Sequence, residues 1–188
     1  MTGKRYKKGM FIGRFQPFHL GHLEALKFAL ELCDELVIGI GSSNTNGTED
    51  NPLDKETRVE IIRAALKDAG IDHRTLNFFH IPDFKSDDAW YEYIKASNIS
   101  IDAVFSANEW VLGIFRNKNV AVVTPPLYRK DELSGVNVRE CIRSGQPWEH
   151  LLTENAAGIV DSQKEKITEH NKTKQRNSRC LADVGKSI

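Results

Sequence analysis

Residues 9–41 read "GMFIGRFQPFHLGHLEALKFALELCDELVIGIG". A short apolar run, GMFIG (9–13), leads into a turn that holds Gly13 and Pro17. A helical pattern follows over 22–33, with Leu23, Leu26, Leu30 and Cys33 at helical spacing. It gives way to ELVIGIG (35–41), a continuous apolar run of strand length. Strand, crossover helix and second strand predict a parallel βαβ unit.

The alternation continues to the end of the body. KETRVEIIRAALKDAG (55–70) predicts a helix with Val59, Ile62, Leu66 and Ala69 on one face and Gly70 as its stop. TLNFFHIP (75–82), DAVFSA (102–107) and NVAVVTPP (119–126) predict strands, separated by helices over DDAWYEYIKAS (87–97) and EWVLGIF (109–115). NVRECIRSG (137–145) and PWEHLL (147–152) predict the closing helices. The fold class is therefore α/β: a Rossmann-like, doubly wound parallel sheet of about five buried strands, with helices on both faces. Ligands in such sheets bind beyond the carboxyl ends of the strands, so the loops at 13–22, 41–54, 82–90, 106–109 and 124–137 are the candidates. One domain is expected over 1–160. The polar stretch 161–188 is expected as a helical extension or a mobile tail.

Lysine and arginine total 26, aspartate and glutamate total 26, and the net charge is zero. That balance argues against sequence-independent binding to nucleic acid, which needs many phosphate contacts. The three cysteines, Cys33, Cys141 and Cys180, are odd in number and far apart. They predict neither a disulfide framework nor a cysteine zinc site. The basic N-terminus lacks the apolar core of a secretory signal, and no run reaches the roughly 18 apolar residues of a membrane helix. A soluble cytoplasmic protein without a membrane partner is expected.

GRFQPFHLGH (13–22) carries the chemistry. A protein-held metal needs three or four ligands, and two histidines without a carboxylate or thiolate cluster are too few. A helix N-terminus after a strand, however, presents unpaired N–H groups and a positive dipole end to an anion. Gly13 permits close backbone approach and Gly21 tight packing at the helix start. His19 in the loop and His22 in the first turn can donate to phosphate oxygens, or can merely cap and pack. Other positions are similarly two-sided. Trp90 can stack on a flat heteroaromatic ring or belong to the core. Asp83 can accept from a carboxamide or ribose, or cap a turn. Ser134 and Arg139 sit at a loop-to-helix junction suited to phosphate. Arg14 and Arg58 read as phosphate ligands or surface charges, and Asn108 as a nucleotide contact or an N-cap.

GRFQPFHLGH resembles the H-x-G-H signature of the nucleotidyltransferase superfamily and, more closely, the archaeal type of nicotinamide-nucleotide adenylyltransferase. The likeness continues in order through DELVIGIGSS (34–43), NPLDKETR (51–58), IPDFKSDDAW (81–90), VFSANEWVLGIF (104–115) and PPLYRKDELSGVNVRECIRSGQPWEHLL (125–152). The resemblance implies transfer of the adenylyl group of ATP to nicotinamide mononucleotide, giving NAD and pyrophosphate. It implies that His19, His22, Arg14 and Arg139 act on the phosphates. Gly13, Phe15, Ser134, Arg58, Asp83, Trp90 and Asn108 would bind the substrates. It also implies Mg²⁺ carried mainly by the ATP phosphates, and a homo-oligomer of up to a hexamer. Another phosphorylated acceptor, such as nicotinic acid mononucleotide, and a non-catalytic nucleotide-binding module are the alternatives.

Three positions depart from the family pattern. SGVNVR (134–139) has Val136 where a threonine is usual, and Asn137 where a glutamate is usual. Asp50 stands where a lysine or arginine is typical, and an acid beside a triphosphate repels it unless a cation intervenes. Lys55 and Lys130 are the candidates to restore the missing charge.

Overall fold

A computed structural model of the chain describes residues 4–72, 74 and 76–169. The elements run β1 (Tyr6–Gly13), α1 (Leu20–Leu32), β2 (Cys33–Ile40), α2 (Lys55–Asp68), β3 (Asn77–His80) and α3 (Asp87–Ala96). They continue with β4 (Ala103–Phe105), α4 (Glu109–Phe115), β5 (Ala121–Val123), α5 (Gly135–Ser144), a 3₁₀ turn at Glu149–Leu151 and α6 (Glu154–Ser162). The five strands lie in the order β3-β2-β1-β4-β5, and every pair is parallel. The chain winds outward from β1 to β3, returns, and winds the other way through β4 to β5. Its switch point lies between β1 and β4, where an open sheet of this kind leaves a crevice beyond the strand ends.

Alternation along the strands feeds two apolar layers. Phe11 and Ile38 face one side, where α1, α2, α5 and α6 bury Leu26, Ile62, Val138 and Val160. Met10, Ile12 and Val37 face the other, against Trp90 and Ile94 of α3 and Val111 and Phe115 of α4. Side chains cap the helices that follow strands: Asp54, Ser86, Asn108 and Ser134 each accept a hydrogen bond from a first-turn N–H. Such caps satisfy donors that no helical bond can reach. Gly70, the expected stop, is left-handed at φ +69° just beyond the end of α2.

Several boundaries move. β1 begins at Tyr6 rather than residue 9, because Tyr6 and Lys8 are already in register with Cys33 and Glu35 of β2. β4 and β5 have only three residues each. The edge strands β3 and β5 are half-buried rather than fully buried, since each has a neighbour on one side only. Cys33 opens β2 instead of closing α1. The segment 147–152 forms a single 3₁₀ turn.

α6 has no counterpart in the periodicity reading. Its buried residues are Ala156, Ala157 and Val160, which give a weak hydrophobic signal, and its Asn155 N–H donates to Asp68 Oδ2 of α2 at 2.9 Å. Residues 164–169 are also helical, Ile167 is fully buried, and its carbonyl accepts from Arg143 Nε at 3.1 Å. The expectation for 170–188 lies outside the described residues.

Candidate active site

A cavity of about 750 Å³ opens at the carboxyl ends of β1 and β4, a size that suits a nucleotide-like ligand. The turn between β1 and α1 forms its floor. Gly13 has no room for a side chain, because a Cβ there would lie 2.7 Å from the ring of Phe15. Phe15, left-handed at φ +52°, turns that ring inward. It is buried, and His22 rests edge-on against it with ring centres 5.0 Å apart. The Phe15 side chain is thus a support for His22.

His19 is the N-cap of α1 and His22 stands three residues on. Their rings stack with centres 3.7 Å apart. Each caps the other's backbone: His19 Nδ1 accepts from the His22 N–H at 3.4 Å, and His22 Nδ1 accepts from the His19 N–H at 3.3 Å. An accepting Nδ1 carries no proton, so the proton of each neutral ring sits on Nε2. Neither Nε2 has a protein partner among the described residues. Gly21 makes room for this pair, since a Cβ there would come within 3.1 Å of the His19 ring.

Burial pushes the His19 pKa down to about 4. His22 falls well below its usual range through burial first and the neighbouring His19 second. Both are therefore neutral donors at pH 7. An imidazolium would also face the positive end of α1. The linkage has a definite sign. These depressed values contribute stability that is fully present above about pH 6.5, the ordinary value, and is lost as the pH falls through about 4. Urea midpoints measured between pH 7 and pH 4 are expected to fall in wild-type protein, and to fall less steeply over that window when both histidines are replaced by asparagine.

The arginines divide. Arg14 is exposed and lines the cavity. Arg139, from α5, also lines it, with 3% of its surface exposed. Its Nη1 donates to the Gln16 carbonyl at 2.8 Å and its Nη2 to Asp50 Oδ1 at 3.1 Å. Burial lowers the Arg139 pKa, but an arginine so lowered still keeps its charge at neutral pH.

Arg58 corrects the sequence expectation. It is 0% exposed, lies outside the cavity, and donates to the carbonyls of Arg14, Gly41, Ser42 and Asp54. With its donors turned to main chain, it ties the turn after β1 to the loop after β2 and cannot hold a substrate phosphate. Of the two candidate lysines, Lys130 lines the cavity, whereas Lys55 is 3.8 Å from Glu56 and does not.

Asp83, Trp90, Asn108 and Ser134 all line the cavity. The Asp83 carboxylate accepts from Ser42 Oγ at 2.9 Å and Thr45 Oγ1 at 3.0 Å, which fixes it while leaving it solvent-facing. Asn108 caps α4 through Trp110 N–H at 3.0 Å, so capping and cavity-lining coincide. Ser134 Oγ accepts from Asn137 N–H at 3.1 Å, leaving its own O–H to donate. Val136 is exposed at the rim; its main-chain N–H belongs to the first turn of α5, where no helical partner exists.

The free stacking surface expected of Trp90 is not present. Trp90 is 3% exposed and meets Trp110 and Phe115 edge-on at 5.4 and 6.1 Å. The exposed indole at this end is Trp110, 48% exposed, with Nε1 donating to Asp87 Oδ1 at 3.1 Å. Its position directly after the Asn108-Glu109 helix start was the available signal. Two further buried residues that no spacing rule marks shape the site. Gln16 grips the main chain of Leu53 through both side-chain atoms, at 2.9 and 3.0 Å. Ser106 donates to the Ile12 carbonyl at 3.0 Å, locking β4 to β1 beneath the site.

Comparison with known proteins identifies the family of the chain. Residues 10–141 match the family described as cytidylyltransferase-like. The nicotinamide-nucleotide adenylyltransferase of Thermococcus onnurineus is 36% identical over 154 residues, covering 82% of each chain. That of Pyrococcus furiosus is 35% identical over 155 residues, again 82% of each. That of Saccharolobus solfataricus is 36% identical over 145 residues, 77% of this chain and 84% of its own. Among solved structures, a bifunctional NMN adenylyltransferase/ADP ribose pyrophosphatase from Francisella tularensis shares the fold, with a TM-score of 0.78 at 20% identity. That match takes in 95% of this chain, which spans 57% of the bifunctional protein's length.

Proposed function

The chain belongs to the cytidylyltransferase-like family, with the nicotinamide-nucleotide adenylyltransferases as its relatives, and we propose that its cavity joins ATP to nicotinamide mononucleotide, forming NAD and pyrophosphate. An oxygen of the mononucleotide's 5′-phosphate attacks the α-phosphorus of ATP. The new P–O bond forms in line with the α–β bridge, which breaks and leaves with its electron pair as pyrophosphate. A phosphate oxygen is already a nucleophile, so neither a covalent intermediate nor a general base is required. The protein's work is positioning and charge stabilisation.

His19 and His22 donate Nε2–H to oxygens at the reacting centre. Arg14, with the main-chain N–H groups of the 13–15 turn, orients the same phosphates. Arg139, the Ser134 hydroxyl and the first turn of α5 take the β- and γ-phosphates, where the Val136 amide stands in for a missing hydroxyl. Asn108 meets the adenosine, while Asp83, Trp90 and Trp110 bound the pyridine nucleotide. Mg²⁺ would be carried by the triphosphate and would offset part of its charge. Among the described residues no group of three His, Cys, Asp or Glu could hold an ion.

The observation that carries this reading is the pair of neutral imidazoles, capped so that Nε2 holds the proton, opening on the same cavity as Arg14 and Arg139. Incubation with ATP, Mg²⁺ and nicotinamide mononucleotide is expected to yield NAD and pyrophosphate in equal amounts. Folded protein that binds ATP but releases no pyrophosphate would overturn it in favour of a non-catalytic module. Parallel reactions with nicotinic acid mononucleotide and with CTP define the acceptor and the nucleotide.

A further inference from the structure

Arg139 carries an unfinished hydrogen-bonding edge. Its Nη1 is committed to the Gln16 carbonyl, and its Nη2 to Asp50, but its buried Nε has no acceptor among the described residues. Nε and Nη2 form a parallel fork that fits two oxygens of one anion. A single carboxylate contact uses half of it. A buried donor left unpaired beside a cavity calls for a partner that the ligand-free protein does not supply.

The two members of the ion pair differ in freedom. The Arg139 side chain is 3% exposed, whereas that of Asp50 is 71% exposed, on the loop leading to α2. The arginine is therefore the fixed member and the carboxylate the movable one. The same loop sets the Glu49 carboxylate 3.9 Å from Arg143, one turn along α5. Two acids thus lean on two arginines of the helix whose N-terminus faces the cavity.

A triphosphate that completes the Arg139 fork brings its own charge next to Asp50. Two anions on one buried guanidinium repel. A divalent cation between them turns that repulsion into attraction. We infer that Asp50 is a specificity-determining residue: its carboxylate competes with the bare triphosphate for Arg139, and the site accepts ATP as its divalent-metal complex. The inference rests on the adenylyl-transfer reading. It gives a role to the acid that stands where the family pattern has a basic residue. The selection acts on the substrate's form and leaves the chemical step unchanged.

Isothermal titration of ATP alone, without the acceptor, tests it. Wild-type protein is titrated in EDTA and in Mg²⁺, beside Asp50→Asn, Asp50→Ser and Asp50→Glu. The neutral variants are expected to bind metal-free ATP at least about tenfold more tightly than wild type, a little above what two unit charges about 4 Å apart exchange in bulk water. Their affinity for Mg²⁺-ATP should stay equal or weaken, so the ratio between the two conditions collapses. Asp50→Glu should keep the wild-type ratio. If wild-type protein makes NAD but the neutral variants leave metal-free binding unchanged, or weaken both forms equally, Asp50 is a structural partner only and the inference falls alone. If wild-type protein neither binds ATP nor makes NAD, the adenylyl-transfer reading falls with it.

Discussion

Replacing His22 with alanine is expected to lower turnover by roughly 10²–10³, the usual loss when one preorganised donor to a developing charge is removed. The reason lies in the capping arrangement. His22 Nδ1 is occupied by the His19 N–H, which leaves Nε2–H as the ring's outward donor. Its depressed pKa keeps it a neutral donor across the working range. Alanine removes the donor and also the cap, so some stability should go with it, about 1 kcal/mol for a lost N-cap contact. His22→Asn separates the two effects. An asparagine oxygen can accept from the His19 N–H, but its amide cannot reach where Nε2 stood. It should recover most of the melting temperature and little of the turnover. Turnover within about threefold of wild type in the alanine variant would remove His22 from the reacting centre, given the size of loss expected for such a donor.

The sequence located this pair but not its internal arrangement. A strand, a glycine turn and a helix start are visible in GMFIGRFQPFHLGH because each depends on local pattern. The reciprocal caps are not, since histidine is outside the usual N-cap set of Ser, Thr, Asp and Asn. Only the actual φ/ψ of the turn brings the two Nδ1 atoms onto the two N–H groups. Trp90 and Trp110 show a second limit. Loop position made Trp90 a stacking candidate, yet the packing of α3 against α4 buries it and leaves Trp110 outside. Tertiary packing of two short helices decides that, and no spacing rule encodes it.

α2 is more instructive, because the signal was present. The expected face was Val59, Ile62, Leu66 and Ala69. The buried residues are instead Thr57, Arg58, Ile61, Ile62, Ala65 and Leu66, with Val59 and Ala69 half-covered. The i, i+3, i+4, i+7, i+8 series that begins at position 58 is complete, and it puts the arginine at the core end of the apolar stripe. A charge in that place reads as a surface residue or a ligand-binding one only if the stripe is started a residue late.

Arg58→Met is therefore expected to destabilise the protein by about 2–4 kcal/mol, the size expected when buried main-chain carbonyls lose a charged donor. The substitution preserves much of the volume, so the loss is electrostatic rather than a cavity. It strips the side-chain donor from the carbonyls of Arg14, Gly41, Ser42 and Asp54, of which Ser42 and Asp54 keep a main-chain donor, from Thr45 and from residue 58 itself. Unsatisfied buried carbonyls cost about 1–3 kcal/mol each where water cannot replace the donor. Arg58 stays charged at neutral pH even though burial brings its pKa down to about 10. Lysine can keep the charge but not the fork, so Arg58→Lys should restore only part of the stability. Urea unfolding reads the loss directly. A phosphate ligand would behave in the opposite way: the variant would unfold at the wild-type urea concentration and its KM for ATP would rise. The two outcomes separate cleanly because the Arg58 side chain hydrogen-bonds to main-chain carbonyls inside the protein. Any activity lost in the methionine variant should track the fraction folded, and should return when the assay is run at a lower temperature where the variant is native.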